Sequence, residues 1–423
     1  MLDSVVADPG LAPAGEARIG WADGQMPVLR SIRSRFASER PLEGVAVAAC
    51  LHVTAETAVL VRTLRVGGAR VALCAANPLA TQDDVAAALA ADGASAVLAV
   101  HGEGPDAWAQ HVAALAASGP DVTLDDGADL VGLMHAAFPD AAAALRGATE
   151  ETTTGLVRLR TMDAAGRLLC PVMAVNEART ERAFNDRYGT GQSTLDGILR
   201  ATNLFLAGRS LVVLGYGWTG RGVAQRARGA GASVIVCEVD PLRALEARME
   251  GYEVMPALDA AERGEVFVTV TGSRDVLRRE HFERMHDGAV LANAGHFDVE
   301  IARADLLEMA DGQVRQVRPL VEQYDIDGKR LNLLAGGRVV NLAAAEGHPA
   351  SVMDLSFAVH ALVVEELVRG SQDRLRPGVH AVPAHIDRAV ARLKLASLGV
   401  GIDTLRPDQE EYLRGWSPGA APR

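Results

Sequence analysis

Long apolar runs are missing from this chain. No stretch offers the roughly 20 uncharged apolar residues that a bilayer-crossing helix needs, which excludes a helical membrane span. Met1 to Asp8 carries two acids and no basic residue ahead of an apolar run, so no signal peptide is expected there. Basic charge is also short: 42 Lys and Arg against 54 Asp and Glu give a net charge of −12. Phosphate backbones are bound by clustered cations, so a nucleic-acid partner is not expected. Cysteine is limited to Cys50, Cys74, Cys170 and Cys237, far apart, in apolar segments and without a CxxC pair. Reduced, buried thiols in a cytoplasmic protein are the expectation, rather than disulfides or zinc. The 11 His are scattered, with no HExxH or similar spacing, so no metal is expected. Aromatics make up only 4%, and abundant Ala and Gly suit close helix-on-sheet packing.

What is present is an α/β rhythm. At 423 residues the chain is too long for one ordinary core, and two or three domains are expected. The first forty residues read as loop-rich, with Pro9, Gly10, Pro13 and Gly15, and a helix follows over about Met26 to Ser38. From Val45, short apolar runs ("GVAVAACL", "ARVALCAA", "SAVLAV") alternate with helical stretches at Thr54 to Gly67 and Gln82 to Asp92. That is the βαβαβ pattern of a parallel sheet. "DVTLDDGADL" reads as a strand end, an acidic turn and a helix; Asn176 to Leu206 reads largely as helix. Further strands are predicted at "VFVTVTG", "AVLANAG" and "RVVNLAA", and helices at Ser356 to Arg369 and Ile386 to Ser397.

Gly215, Gly217 and Gly220 spell GxGxxG. Roughly 0.4 such triplets are expected by chance at this glycine content, so the setting decides the matter. The triplet follows the apolar run "SLVVL", opens a helix, and is followed by "SVIVCE", ending in Glu238. Gly215 permits the tight turn, Gly217 lets backbone approach a pyrophosphate, and Gly220 lets helix pack on strand. The helix N-terminus offers free N–H groups to the phosphates. Glu238 accepts from a ribose 2′-hydroxyl and repels a 2′-phosphate, which favours NAD over NADP; Arg243 nearby tempers that preference.

"YGTGQSTLDGILRATNLFLAGRSLVVLGYGWTGRG" resembles the S-adenosylhomocysteine hydrolase family. So do "CLHVTAETAVLVRTL", "NPLATQDDVAAALA", "LDDGADL", "EETTTG", "NAGHFDVE" and "AEGHPASVMDLSF", in that family's order, from about Met26 to Leu413. The resemblance implies an α/β fold with a split substrate domain built on a parallel sheet (residues 1–183 and 350–398). A doubly wound, NAD-binding Rossmann domain (184–349) is inserted in it, and a C-terminal tail (399–423) follows. It implies NAD as cofactor, an adenine nucleoside or S-adenosylhomocysteine as substrate, and a homo-oligomer, dimer or tetramer. The family's tail carries a lysine and a tyrosine that reach a neighbour's NAD; "GWSPGAAPR" has neither.

The chemistry so implied is redox-assisted elimination. C3′ of the sugar is oxidised, the ketone acidifies the C4′ proton, a base removes that proton and the 5′ substituent leaves. Water then adds and C3′ is reduced again. His52 matches the histidine at the 5′ leaving group and Asp126 a proton-transfer acid; Thr54 and Glu56 match adenine contacts. Glu151 and Thr152 match ribose and cofactor contacts, and Thr153 and Thr154 line the cofactor. His296, Asn293 and Asn341 belong to blocks around the nicotinamide, and His348 and Met353 to the adenine pocket and its gate. From the residues alone, His52 can equally be a satisfied strand-end histidine, Asp126 an N-cap before a helix, and Met353 core packing.

The departures cluster at the sugar. Glu181 stands where the family has a lysine, Asn185 where it has an aspartate, Asp186 where it has an asparagine, and Thr190 where a cysteine is common. Trp218 and Thr219 occupy the glycine turn, and Arg243 replaces an asparagine. Three readings follow: a specialised relative that stops at a 4′,5′-unsaturated nucleoside as a net dehydratase, true S-adenosylhomocysteine hydrolysis, and a non-catalytic binder of NAD or adenosine.

Overall fold

The computed structural model describes residues 2–93, 95–370 and 375–415. Its strands in chain order are β1 (Ala46–Leu51), β2 (Arg70–Ala75), β3 (Ser95–Leu98), β4 (Val122–Asp125), β5 (Gly147–Glu150) and β6 (Pro171–Ala174). There follow β7 (Ser210–Leu214), β8 (Ser233–Cys237), β9 (Glu253–Val254), β10 (Val266–Thr269) and β11 (Val290–Asn293). The last are β12 (Val314–Arg318), β13 (Val321–Ile326), β14 (Lys329–Leu334) and β15 (Gly378–Ala381).

They form two sheets. The first runs β15-β6-β5-β4-β1-β2-β3 and every pairing in it is parallel. The second runs β12-β13-β14-β11-β10-β7-β8-β9, parallel except where β13 pairs antiparallel with β12 and β14. A parallel sheet needs helices on both faces, and each sheet here has two apolar clusters. Val47, Ala49, Leu73, Phe357 and Val363 belong to one cluster of the first sheet; Ala48, Leu130, Val131 and Val172 belong to the other. Leu211, Val213 and Val268 face one side of the second sheet, and Val212, Leu214 and Phe267 the other.

Among the parallel strands of each sheet the order reverses once, at β1 and at β7. Ligands of open α/β sheets sit beyond the carboxyl ends of the strands at such points. His52 follows β1, and Gly215 follows β7. The candidate residues are therefore placed by topology before any side chain is considered.

Three sequence expectations need correction and a fourth needs refining. The first forty residues are mostly helix: Ala12–Gly24 precedes Pro27–Glu39. Pro13 sits in the first turn, where its missing N–H costs nothing. A Cβ at Gly15 would lie 1.8 Å from the Asp84 carbonyl oxygen, so this glycine brings two helices together. "RVVNLAA" is not a strand. Only Val339 bridges to Asn293, and Val340–Ala343 is a short helix. The long helix of the C-terminal half starts at Ala350, six residues before the predicted start. Asn176 to Leu206, read as largely helix, is so, with a π-helix, Glu181–Thr190, that runs straight into the α-helix Gly191–Thr202.

Candidate active site

A cavity of about 1260 Å³ lies beyond the carboxyl ends of both sheets. His52, Thr54, Glu56, Asp126, Glu151 and Thr152 to Thr154 line it from the first sheet's strand ends. Gly215, Gly217, Thr219, Glu238, Arg243, His296 and Asn341 line it from the second. Glu181, Asn185, Asp186 and Thr190 enter from the π-helix, and His348 and Met353 from the segment before and into the helix Ala350–Arg369.

His52 and Asp126 meet where β1 and β4 end side by side, with Nε2 3.5 Å from Oδ2. Among the described residues, His52 Nδ1 and Asp126 Oδ1 are buried without partners. His52 is therefore not a satisfied strand-end histidine. Asp126 is not an N-cap either; Asp125 does that work, accepting from Leu130 N (3.2 Å) and Val131 N (2.7 Å). His296 stands across the gap, and burial lowers its affinity for a proton, so the ring is a neutral acceptor at neutral pH. Thr54 caps the helix Ala55–Val66, which fixes Glu56 in the cavity wall; burial raises its pKa.

Glu151 is held from three directions. Ser356 Oγ donates to Oε1 at 2.5 Å, Asn185 Nδ2 donates to Oε1 at 3.3 Å, and His360 Nε2 lies 2.6 Å from Oε2. His360 Nδ1 is in turn 2.9 Å from Thr149 Oγ1. Sequence reasoning missed Ser356, His360 and Thr149. The signal for Ser356 and His360 is two polar residues four apart inside the apolar run "SFAVH", which places both on one helix face; Thr149 carries none.

The π-helix explains how the altered residues converge. Its i→i+5 bonding widens the turn beyond the α-helical 3.6 residues. Positions 181, 185, 186 and 190 then fall near one face, and all four line the cavity. Glu181 is 1% exposed and its Oε2 has no partner among the described residues. Burial first, then the charges of Glu151 and Asp186, push its pKa well above the carboxylate range. Burial and Glu151 likewise push Asp186 up to about 7. Thr190 Oγ1 lies 2.9 Å from His348 Nε2, and burial pulls His348 down to about 4. Met353 packs against the core and also presents Sδ to Asn185 Nδ2 at 3.8 Å, so its two readings are not exclusive.

No other lysine fills the gap left at position 181. The chain has two, Lys329 and Lys394. The first binds the Glu283 carbonyl at 2.6 Å and the second Asp354 at 3.0 Å.

The dinucleotide end fits its expected ligand. Gly215 adopts φ 105°, and a Cβ at Gly220 would lie 2.0 Å from the Gly215 oxygen. A Cβ at Gly217 would approach only Arg243 Nη1, at 3.8 Å, so this side of the turn is open for a pyrophosphate. Glu238 is anchored by Tyr216 N (2.7 Å), Val239 N (2.6 Å) and Asp240 N (3.0 Å) at the end of β8. Asn341 Oδ1 is buried and unpartnered among the described residues. Asn293 does not reach the cavity. Its amide donates to the Gly295, Phe297 and Gly337 carbonyls, and its oxygen accepts from Gly295 N and Thr269 Oγ1. It holds the loop that carries His296, rather than a ligand. The "GWSPGAAPR" tail, expected to leave cofactor closure altered, lies outside the described residues after Gly415.

Comparison with known proteins settles the family. The adenosylhomocysteinase of Aquifex aeolicus (strain VF5) is 56% identical over 98% of this chain and 99% of its own. The chain belongs to the S-adenosyl-L-homocysteine hydrolase family. The family model matches residues 3–138, and the model of the family's NAD-binding domain matches residues 186–347. The cofactor is NAD. An S-inosyl-L-homocysteine hydrolase of Methanopyrus kandleri is 52% identical over 98% of this chain and 97% of its own. The adenosylhomocysteinase of Gloeobacter violaceus is 53% identical over 97% and 95%. Among solved structures, a dipicolinate synthase chain from Bacillus halodurans aligns with a TM-score of 0.50 at 13% identity, covering 78% of this chain and 99% of that one. That likeness concerns the fold alone. Within this family, the chain is an NAD-dependent enzyme of the adenosylhomocysteinase type.

Proposed function

We propose that the chain removes the 5′ substituent of a purine nucleoside by oxidation-assisted elimination, with S-adenosylhomocysteine as the first substrate to test. One observation carries this reading: the His52–Asp126 pair and the dinucleotide turn open into one cavity. The relatives' activities on S-adenosyl and S-inosyl compounds support a purine nucleoside thioether. The chemistry that NAD supplies when bound is reversible hydride exchange with the sugar.

The chain's own groups do the rest. Gly215, Gly217, Thr219 and Glu238 hold the dinucleotide, and Thr152 to Thr154 and Asn341 close on it from the other wall. Glu56 and Thr54 take the base. Glu151, fixed by Ser356, His360 and Asn185, takes sugar hydroxyls. Once C3′ is a ketone, the C4′ proton is acidic enough for a side-chain base. Asp126 takes it, and His52 hands a proton to the leaving sulfur at C5′. Homocysteine leaves in that step; water then adds across the 4′,5′ double bond, and reduction of the C3′ ketone completes adenosine.

A second reading rests on the rewritten sugar site. Glu181, a neutral acid in its buried setting, can donate one hydrogen bond to the 3′-oxygen but cannot supply a lysine's charge. Asn185 and Asp186 exchange the neighbouring acid and amide. Such a site suits a differently built sugar, with the reaction ending at the 4′,5′-unsaturated nucleoside.

The deciding experiment incubates the NAD-loaded protein with S-adenosylhomocysteine and follows free homocysteine and adenosine. Release at enzymatic turnover supports the first reading and removes the need for the second. No release, with NAD bound, overturns hydrolysis; adenine nucleosides are then screened for loss of water and for deuterium exchange at C4′.

A further inference from the structure

Behind Asp126 and Glu151, one layer further from the cavity, sits a second pair of carboxyls. Asp125 ends β4 and Glu150 ends β5, opposite each other in register, and both are fully buried. Glu150 Oε1 accepts three donors: Gly127 N at 2.8 Å, Thr152 N at 2.9 Å and Thr152 Oγ1 at 2.8 Å. Gly127 follows Asp126, and Thr152 follows Glu151. A single oxygen thus ties together the two turns that carry the acids of the site. The first turn needs a tie, because Gly127 and Ala128 take φ 120° and 62° in succession. An alanine held there costs of order 1 kcal/mol or more.

The four oxygens of the pair are unequal. Both Asp125 oxygens accept backbone N–H groups, and Glu150 Oε1 accepts three donors. Only Glu150 Oε2 is buried with no partner among the described residues. A Cβ at Gly155 would lie 2.3 Å from the Glu150 carboxyl, so backbone closes that side. Two carboxyls so placed do not both ionise at neutral pH. The oxygen without a donor is the natural address of a proton on Glu150.

We propose that Glu150 is a positioning residue whose protonated carboxyl, beside Asp125, clamps the Asp126–Gly127 and Glu151–Thr152 turns in register. The proposal rests on the roles given above to Asp126 and Glu151. The groups that act on the pair are Cys50 from the end of β1 and Asp126 and Asp129 from the turn, which Arg158 of the helix Thr153–Ala164 also reaches. Arg158 is spoken for: it binds Asp129 at 2.8 Å and the Gly127 carbonyl at 2.6 Å. Among the described residues, no cation is left to neutralise both acids. Burial raises Glu150 well above the carboxylate range and Asp125 to about 7, in the direction the geometry requires.

The test needs no turnover, so its failure is distinct from failure of the proposed reaction. Thermal midpoints of NAD-loaded wild type and E150Q are compared from about pH 5.5 to about 8.5, with hydrogen exchange of residues 125–131 and 150–155. Gln keeps the accepting oxygen and puts an amide where the Glu150 proton sits. The wild-type midpoint is expected to fall as pH rises across this window, and that of E150Q to fall less steeply, because only Asp125 of the pair then takes up a proton on folding. E150L, which orphans three donors, should exchange faster in both segments at every pH. Where turnover is measurable, E150Q shifts the alkaline limb of kcat and leaves KM unchanged. Parallel pH profiles for wild type and E150Q overturn the proton on Glu150. Unchanged exchange in E150L overturns the clamp.

Discussion

A carboxyl buried like that of Glu181, with Oε2 unpartnered among the described residues and two acids nearby, is held in its protonated form. Its folded-state pKa lies above the unfolded value of about 4.3. Its contribution to stability is therefore complete below that value and is lost as pH rises through the raised one. E181Q should match wild type in acid and be about 1–3 kcal/mol more stable in alkali, because it never takes up the buried charge. Urea unfolding at both pH values measures this. The second residue-scale prediction concerns the proton-transfer pair. D126N should lower turnover by about 100-fold or more, with NAD still bound, since general acid–base groups contribute that much. The third addresses the rewritten site. The triple change E181K, N185D and D186N restores the family pattern and should raise homocysteine release at least about 10-fold if the sugar site is what limits hydrolysis. No gain places the limit elsewhere.

At the scale of elements, the π-helix and the glycine helix Trp218–Gly229 touch backbone to backbone. A Cβ at Gly222 would lie 1.8 Å from the Arg187 carbonyl oxygen, and one at Gly191 would lie 2.6 Å from the Gly222 carbonyl carbon. G222A should force the two helices apart at a cost of about 1–3 kcal/mol. Turnover should fall more than NAD affinity, because the dinucleotide turn stays and the sugar residues move; paired kinetics and cofactor titration check it. This contact also shows where the sequence stops being readable. The stretch "ERAFNDRYG" has no apolar stripe to set a period, so an α-helix is the default reading and the wider turn, fixed by the neighbouring helix, is invisible. β5 and β6 have four residues each, too short to show alternation. β15 is an edge strand with a weak apolar signal, and β12 and β13 are charged. By contrast, β1, β2 and β7 are continuous apolar runs and plain in the sequence. The residues His52, Asp126, Glu181 and Glu238 are legible from ordered blocks and the glycine turn. Ser356, His360 and Glu150 are not, because each acts through a partner far away in sequence or through the backbone of a neighbouring turn.

At the scale of the whole molecule, the cavity is walled by both sheets, so ligand binding and overall stability are linked. NAD at about 100 times its Kd should stabilise the chain by about 2.7 kcal/mol. NADP should stabilise it less, because the Glu238 carboxylate, pinned by three backbone amides, faces the incoming 2′ position. Thermal shifts with each dinucleotide measure the difference.

The order of strands also bears on how the enzyme is made. Everything in the second sheet lies between residues 210 and 334, one uninterrupted piece of chain. The first sheet waits for β15, residues 378–381, and Glu151 waits for Ser356 and His360 from the helix before it. During synthesis, which runs from the N-terminus, the cofactor half is complete while the substrate half still lacks its last strand and its supporting helix. A nascent chain can close the second sheet first, and Glu151 is locked only when the helix Ala350–Arg369 emerges.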